Sequence, residues 1–174
     1  MADLTFNTPS GQTVDRKLLI LYLNTGASGS SSPVWKPIGK RVEDSSSEMD
    51  WGEESKNDIL GDTYTTMKRP IITQSFEPCE LDAGDAAQVY IWNKAIKDQD
   101  AAALTNMDLL LVHAYAGTAD TSVFAERYPS SMVKPSGLGG SATVGMPIDV
   151  TFGGKRQTGT ASVSGGTVTF TADE

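Results

Sequence analysis

ATVGMPIDVTF, residues 142–152, is the stretch on which the fold turns. Val144, Met146, Ile148, Val150 and Phe152 are apolar at every second position, with Thr143, Gly145, Asp149 and Thr151 between them. Successive side chains of a strand point to opposite faces, so a period of two reads as a half-buried β-strand. Toward the C-terminus, GGKR (153–156) turns the chain, QTGTASV returns, and SGG (164–166) turns it again. TVTFTA then closes with Val168 and Phe170 on one face. Two Gly-containing turns between short alternating runs predict a β-meander.

Toward the N-terminus the apolar runs are continuous instead of alternating. LLILYL (18–23) reads as a fully buried strand and DLLLVHAYAG (108–117) as another buried strand. VWKPIG (34–39) is a shorter strand that Pro37 confines to an edge or an end. Between the first two strands, TGASGSSSP (25–33) has the composition of a flexible connector. TYTTM (63–67) and IITQSFE (71–77) are further strands, separated at Pro70. One helix is expected in DAAQVYIWNKAIK, with Asp82 or Asp85 as its cap and Ala86, Val89, Tyr90 and Ile96 at helical spacing. The expectation is a mainly β single domain over residues 1–174, with one flanking helix.

Composition narrows the function. Net charge is −8 over 174 residues, and 39% of residues are hydrophobic, an ordinary globular mixture. Val42–Asp62, VEDSSSEMDWGEESKNDILGD, holds eight acids against the single base Lys56, so this stretch accounts for −7 of the −8. Duplex binding requires clustered Lys and Arg to release phosphate counterions, and none is present beyond Lys40-Arg41 and Lys155-Arg156, both ordinary turn positions. The opening MADLTFNTPSGQ lacks the basic start and apolar run of a secretory signal. The longest apolar run is far below the roughly 20 residues of a membrane helix. A lone Cys79 excludes an internal disulfide framework and fits folding in a cytoplasm.

Catalytic patterns are weak. His113, the single histidine, sits in a buried-strand pattern, where a hydrogen-bonded core or interface role outweighs a Cys79–His113 pair. Glu53, Glu54 and Asp58 would be the carboxylates of a hydrolase, but adjacent loop acids rarely flank a scissile bond. EMDWGEE offers oxygen ligands for calcium without the loop spacing that an EF-hand needs. SGLGGSATVG (136–145) lacks the Lys-Ser/Thr and the following helix of a phosphate loop, so it reads as a plain loop. No cofactor, metal or catalytic residue is assigned.

The acidic stretch therefore remains the main clue. Met49, Trp51, Ile59 and Leu60 have no place in a purely solvated loop. Aromatic and aliphatic anchors rimmed by charge belong to interfaces. The expected interface residues are Glu43, Asp44, Glu48, Met49, Asp50, Trp51, Glu53, Glu54, Ile59 and Leu60. Like-charge density further predicts that Glu43–Asp58 is disordered in a free subunit and ordered only on assembly.

The order of these parts resembles the bacteriophage major tail protein, or tail tube protein, family. The residues that carry the resemblance are the first strand, VWKPIGKRVEDSSSEMDWGEES, ILGDTYTTM, the helix after SFEPCELDAGDA, and the C-terminal run. The resemblance implies a β-sandwich or partial barrel with one flanking α-helix, completing a continuous barrel on oligomerisation. It implies a structural subunit, not an enzyme. Hexameric rings would stack into a tube through which the viral genome is ejected, in contact with tape measure and tail terminator proteins. DNA would pass without specific binding, and no membrane is involved. Location would be the virion tail, assembled in the host cytoplasm. An N-terminal arm (1–16) and a long acidic loop (40–62) would bridge neighbours, with Trp51 favouring the ring–ring seam. A different class remains open: a carbohydrate-binding or adhesin-like β-sandwich module on a phage or cell surface, using Trp35, Trp51 or Trp92 as a stacking platform.

Overall fold

The computed structural model describes residues 4–26 and 32–173. The expected flexible connector falls largely on 27–31, outside the described residues. Among the described residues, the chain forms eleven strands in antiparallel pairs and two short α-helices. The strands are β1 (Leu19–Asn24), β2 (Trp35–Ile38), β3 (Ser47–Asp50), β4 (Glu54–Asn57), β5 (Thr63–Thr66) and β6 (Ile71–Phe76). After helices α1 (Ala86–Trp92) and α2 (Ala101–Leu104) come β7 (Met107–Thr118), β8 (Ser122–Pro135), β9 (Ile148–Thr151), β10 (Gln157–Ser164) and β11 (Thr167–Ala172).

The continuous apolar runs explain themselves in the β1–β7 pair. Leu21 lies opposite Leu111 and Leu23 opposite Leu109, all facing the first core cluster. On the reverse face Tyr22 lies opposite Leu110, and both join Trp35, Val112 and Val123 in a second cluster. A sheet buried on both faces needs no polar alternation. Pro37 does sit on a sheet edge, since among the described residues β2 pairs only with β1.

The long strand β8 joins two sheets. Its first half pairs with β10, and its last residues, Met132–Pro135, pair with β9. One sheet thus runs β2-β1-β7-β8-β10-β11, and the other runs β8-β9-β6-β3. The main core lies between them, with Leu21, Leu23, Leu109 and Leu111 on one side and Phe76, Val133, Ile148 and Val150 on the other. Ala87 and Ile91 of α1 pack into the same cluster. The outcome is the expected mainly β sandwich with a flanking helix, unclosed in the single chain.

Some local expectations change. The three-stranded meander is not formed: β10 and β11 make a hairpin, but β9 pairs with β6 and β8 instead of β10. Gly153-Gly154 carries the chain from one sheet to the other across β8. A Cβ on Gly153 would collide with the Ser130 carbonyl oxygen, and Gly154 has φ +79°. The glycines therefore serve a close crossing of backbones, not a hairpin turn. The alternation of residues 142–152 holds from Met146 onward, but Val144 is 52% exposed where the chain bends back to Cys79 and Gly139.

The helix is capped by Asp85, whose Oδ1 accepts the N–H groups of Ala87 (2.9 Å) and Gln88 (3.0 Å). Its buried face is Ala87, Gln88 and Ile91, not the expected set, and Val89 is exposed. A polar Gln88 on the inward face misled the period, and the widened π-turn over Asn93–Lys97 shifted Ile96 out of phase. The acidic stretch, expected as a long loop, carries regular strands. It forms β3 on the edge of the second sheet and β4 in a separate hairpin with β5. Backbone ladders and Lys56 and Lys68 beside Glu54 offset part of the like-charge repulsion.

Candidate assembly surface

Every residue from Ser46 to Arg69 is exposed, although the segment contains the whole of β3, β4 and β5. Glu43 and Asp44 lead into this segment, tied to the end of β6 by backbone bonds to Pro78 and Glu77. The Arg16 guanidinium donates to the Ser45 carbonyl at 3.2 and 3.1 Å, fastening the N-terminal arm to the same place. In β3, Glu48, Met49 and Asp50 lie opposite Thr73, Ile72 and Ile71. β3 has no second neighbour among the described residues, so this edge of the sheet is open.

Beyond Trp51 the chain leaves the sandwich. The Lys68 N–H donates to the Trp51 carbonyl at 2.9 Å and closes the root of the β4–β5 hairpin. Glu54 pairs with Thr66, and the Ser55 and Thr65 hydroxyls bond across the ladder at 2.9 Å. Asp58 shapes the tip, its Oδ1 accepting from Leu60 N (2.8 Å) and Asp62 N (2.9 Å). Asp is a usual turn former by this device, but Ile59 and Leu60 are not turn residues. They are 102% and 83% exposed.

The structure thus brings Met49 and Trp51 together at the hairpin root and sets Ile59 and Leu60 at its tip. Glu53 and Glu54 lie along its flank. Sequence reasoning missed Tyr64, Met67 and Ile71, which add exposed apolar surface at 51%, 63% and 60%. Their signal was indistinct, because an exposed strand and a buried one share the same β-forming residues.

A groove of about 550 Å³ opens at the hairpin root, lined by Met49, Trp51, Arg69, Pro70, Ile72, Glu126, Tyr128, Phe152, Gly154, Lys155 and Arg156. Its floor is polar. Burial pushes the Glu126 carboxyl up, but hydrogen bonds from His113, Arg156 and Tyr128 outweigh that and hold it at about 2. An ionised carboxylate only accepts, so His113 Nε2 donates to it at 3.0 Å, and Nδ1 shares a hydrogen bond with the Tyr115 hydroxyl at 2.8 Å. His113 is the bonded, half-buried residue its strand pattern implied.

Other chemical candidates stay apart. Cys79 lies in the core against Gln88, its thiol pushed up to about 11 by burial and by the charge of Asp85. The glycine-rich loop closes on itself through paired bonds between Gly139 and Gly145. The three tryptophans share no platform, since Trp35 is buried in the second cluster and Trp92 packs on the first. No group of three metal-ligating side chains occurs among the described residues.

No family model matches the chain, and no curated protein matches it. Solved structures do. A chain of the sheath-tube complex of an extracellular contractile injection system, PVC, in its extended state aligns with TM-score 0.50 at 10% identity, covering 87% of this chain and 94% of that one. A chain of the PVC sheath/tube terminator gives TM-score 0.48 at 10% identity over 86% and 99%. The tube-terminating cap of the anti-feeding prophage gives 0.48 at 15% identity over 89% and 96%. At such identity the likeness is one of fold: the sandwich described above is shared with a chain of an injection-system sheath-tube complex.

Proposed function

We propose that this chain is the structural subunit of a phage-type tail tube, forming hexameric rings that stack around a lumen through which the genome is ejected. The observation that carries the proposal is the hairpin with its bare Ile59-Leu60 tip, projecting from a sandwich of the kind found in a sheath-tube complex. A monomer gains nothing from exposing two aliphatic side chains at a turn; an assembly buries them. Among the described residues β2, β3 and β11 have open edges, which support the same reading, because pairing between subunits would cover them. The rings would adjoin tape measure and tail terminator proteins, and the acidic surface would let DNA pass without holding it. Negative-stain microscopy of the purified protein, alone or with an initiating tail component, tests this. Rings and tubes are expected. A strictly monomeric species in sedimentation at every accessible concentration would overturn it.

A further inference from the structure

We propose that the groove at the hairpin root is the receptor for the Ile59-Leu60 tip of a second copy of this chain. The inference rests on the tube-subunit reading and names the surface through which that assembly propagates. A chain cannot satisfy its own groove. Trp51 and Arg69 line the groove beside the root, and four residues of ladder carry the tip about 14 Å away. Both aliphatic tip residues are nearly bare, so their side chains find no cover in their own subunit.

The two surfaces match in kind. The tip is an apolar pair bracketed by Asp58 and Asp62, neither of which has an ion-pair partner among the described residues. The groove is an apolar trough of Met49, Trp51, Ile72 and Phe152, and its free cations are Arg69 and Lys155. Neither of those bases is paired among the described residues, whereas Arg156 is committed to Glu126. Unpaired acids on one surface and unpaired bases on the other steer encounter and fix orientation, while the aliphatic pair and Trp51 supply the desolvated centre. Since tip and groove are different patches of one chain, the contact is head to tail. It leaves every receiving copy with its own tip free, so it closes a ring or runs on as a filament.

Cysteine cross-linking tests the contact directly, since Cys79, the native thiol, is buried. Copies carrying Leu60→Cys are mixed with copies carrying Lys155→Cys, assembled and oxidised. A disulfide-linked pair containing one copy of each is expected, with little product from either variant alone. Asp62→Lys and Lys155→Asp test the charge match, because neither side chain has an ion pair within its own subunit among the described residues. Each should raise the critical concentration for assembly by roughly tenfold or more, and combining the two changes in one chain should restore it. Tubes that form without the cross-link, or single charge variants that assemble like the parent, overturn the groove proposal and leave the tube reading standing. Absence of rings and tubes in the parent protein overturns both.

Discussion

Glu126 shows how a buried charge is kept by its neighbours. Its folded pKa of about 2 lies below the unfolded value near 4.3, so its stabilising contribution is present above that value and is lost as pH falls through about 2. Glu126→Gln should therefore cost roughly 2 kcal/mol in urea unfolding at pH 7, with the gap closing between pH 4 and pH 2. A gap that is constant with pH would mean that packing, not charge, supports the residue. Gln88 is the neutral counterpart. Its Nε2 donates to the Lys40 carbonyl and its Oε1 accepts the Asp82 N–H, each at 2.8 Å, in full burial. Gln88→Leu should cost about 1 kcal/mol by denaturant titration, because the part-buried Lys40 carbonyl and Asp82 N–H both lose their partner. His113 could be read in the sequence as a bonded strand residue. Gln88 could not, since an inward-facing amide has no period to betray it.

At the scale of elements, the strands that bury their side chains were legible and their partners were not. LLILYL and DLLLV announce themselves by composition, and their pairing in register follows from Leu21 against Leu111. Whether β9 pairs with β10 depends on Ser130 passing beneath Gly153, a contact between distant parts of the chain that no local pattern encodes. The acidic stretch stood out by its Trp51, Ile59 and Leu60, but its strands did not, because charge masked the ladder partners of β3 and β4. Two-stranded ladders are marginal in water on their own. The β4–β5 hairpin forms a sheet of its own, so it should open far more readily than the sandwich. Limited trypsin digestion of free subunits should cut first at Lys56 or Lys68, and assembled tubes should be protected there. Equal cutting in both states would separate the hairpin from stacking.

At the scale of the whole molecule, net charge is a poor guide until the pairing of each base is known. Lys17, Lys40, Arg41, Lys56, Lys68, Lys94, Lys97, Arg127 and Arg156 each lie within ion-pair distance of a carboxylate of the same chain. Arg16 is held by backbone carbonyls. Among the described residues, Lys36, Arg69, Lys134 and Lys155 have no carboxylate within ion-pair distance; they come from four different segments, and only Arg69 and Lys155 share a groove. Tight duplex binding draws on many phosphate contacts at once, each releasing a counterion. A few dispersed bases on a subunit of net charge −8 cannot supply them against the repulsion of 22 acids. If Arg69 and Lys155 also receive the tip of a neighbour, assembly removes two of the four. Fluorescence anisotropy with labelled duplex DNA should accordingly show no binding at micromolar protein and physiological salt, and tubes should bind no better than free subunits. Micromolar affinity that weakens as salt rises would locate a phosphate-binding surface that this distribution of charge does not provide.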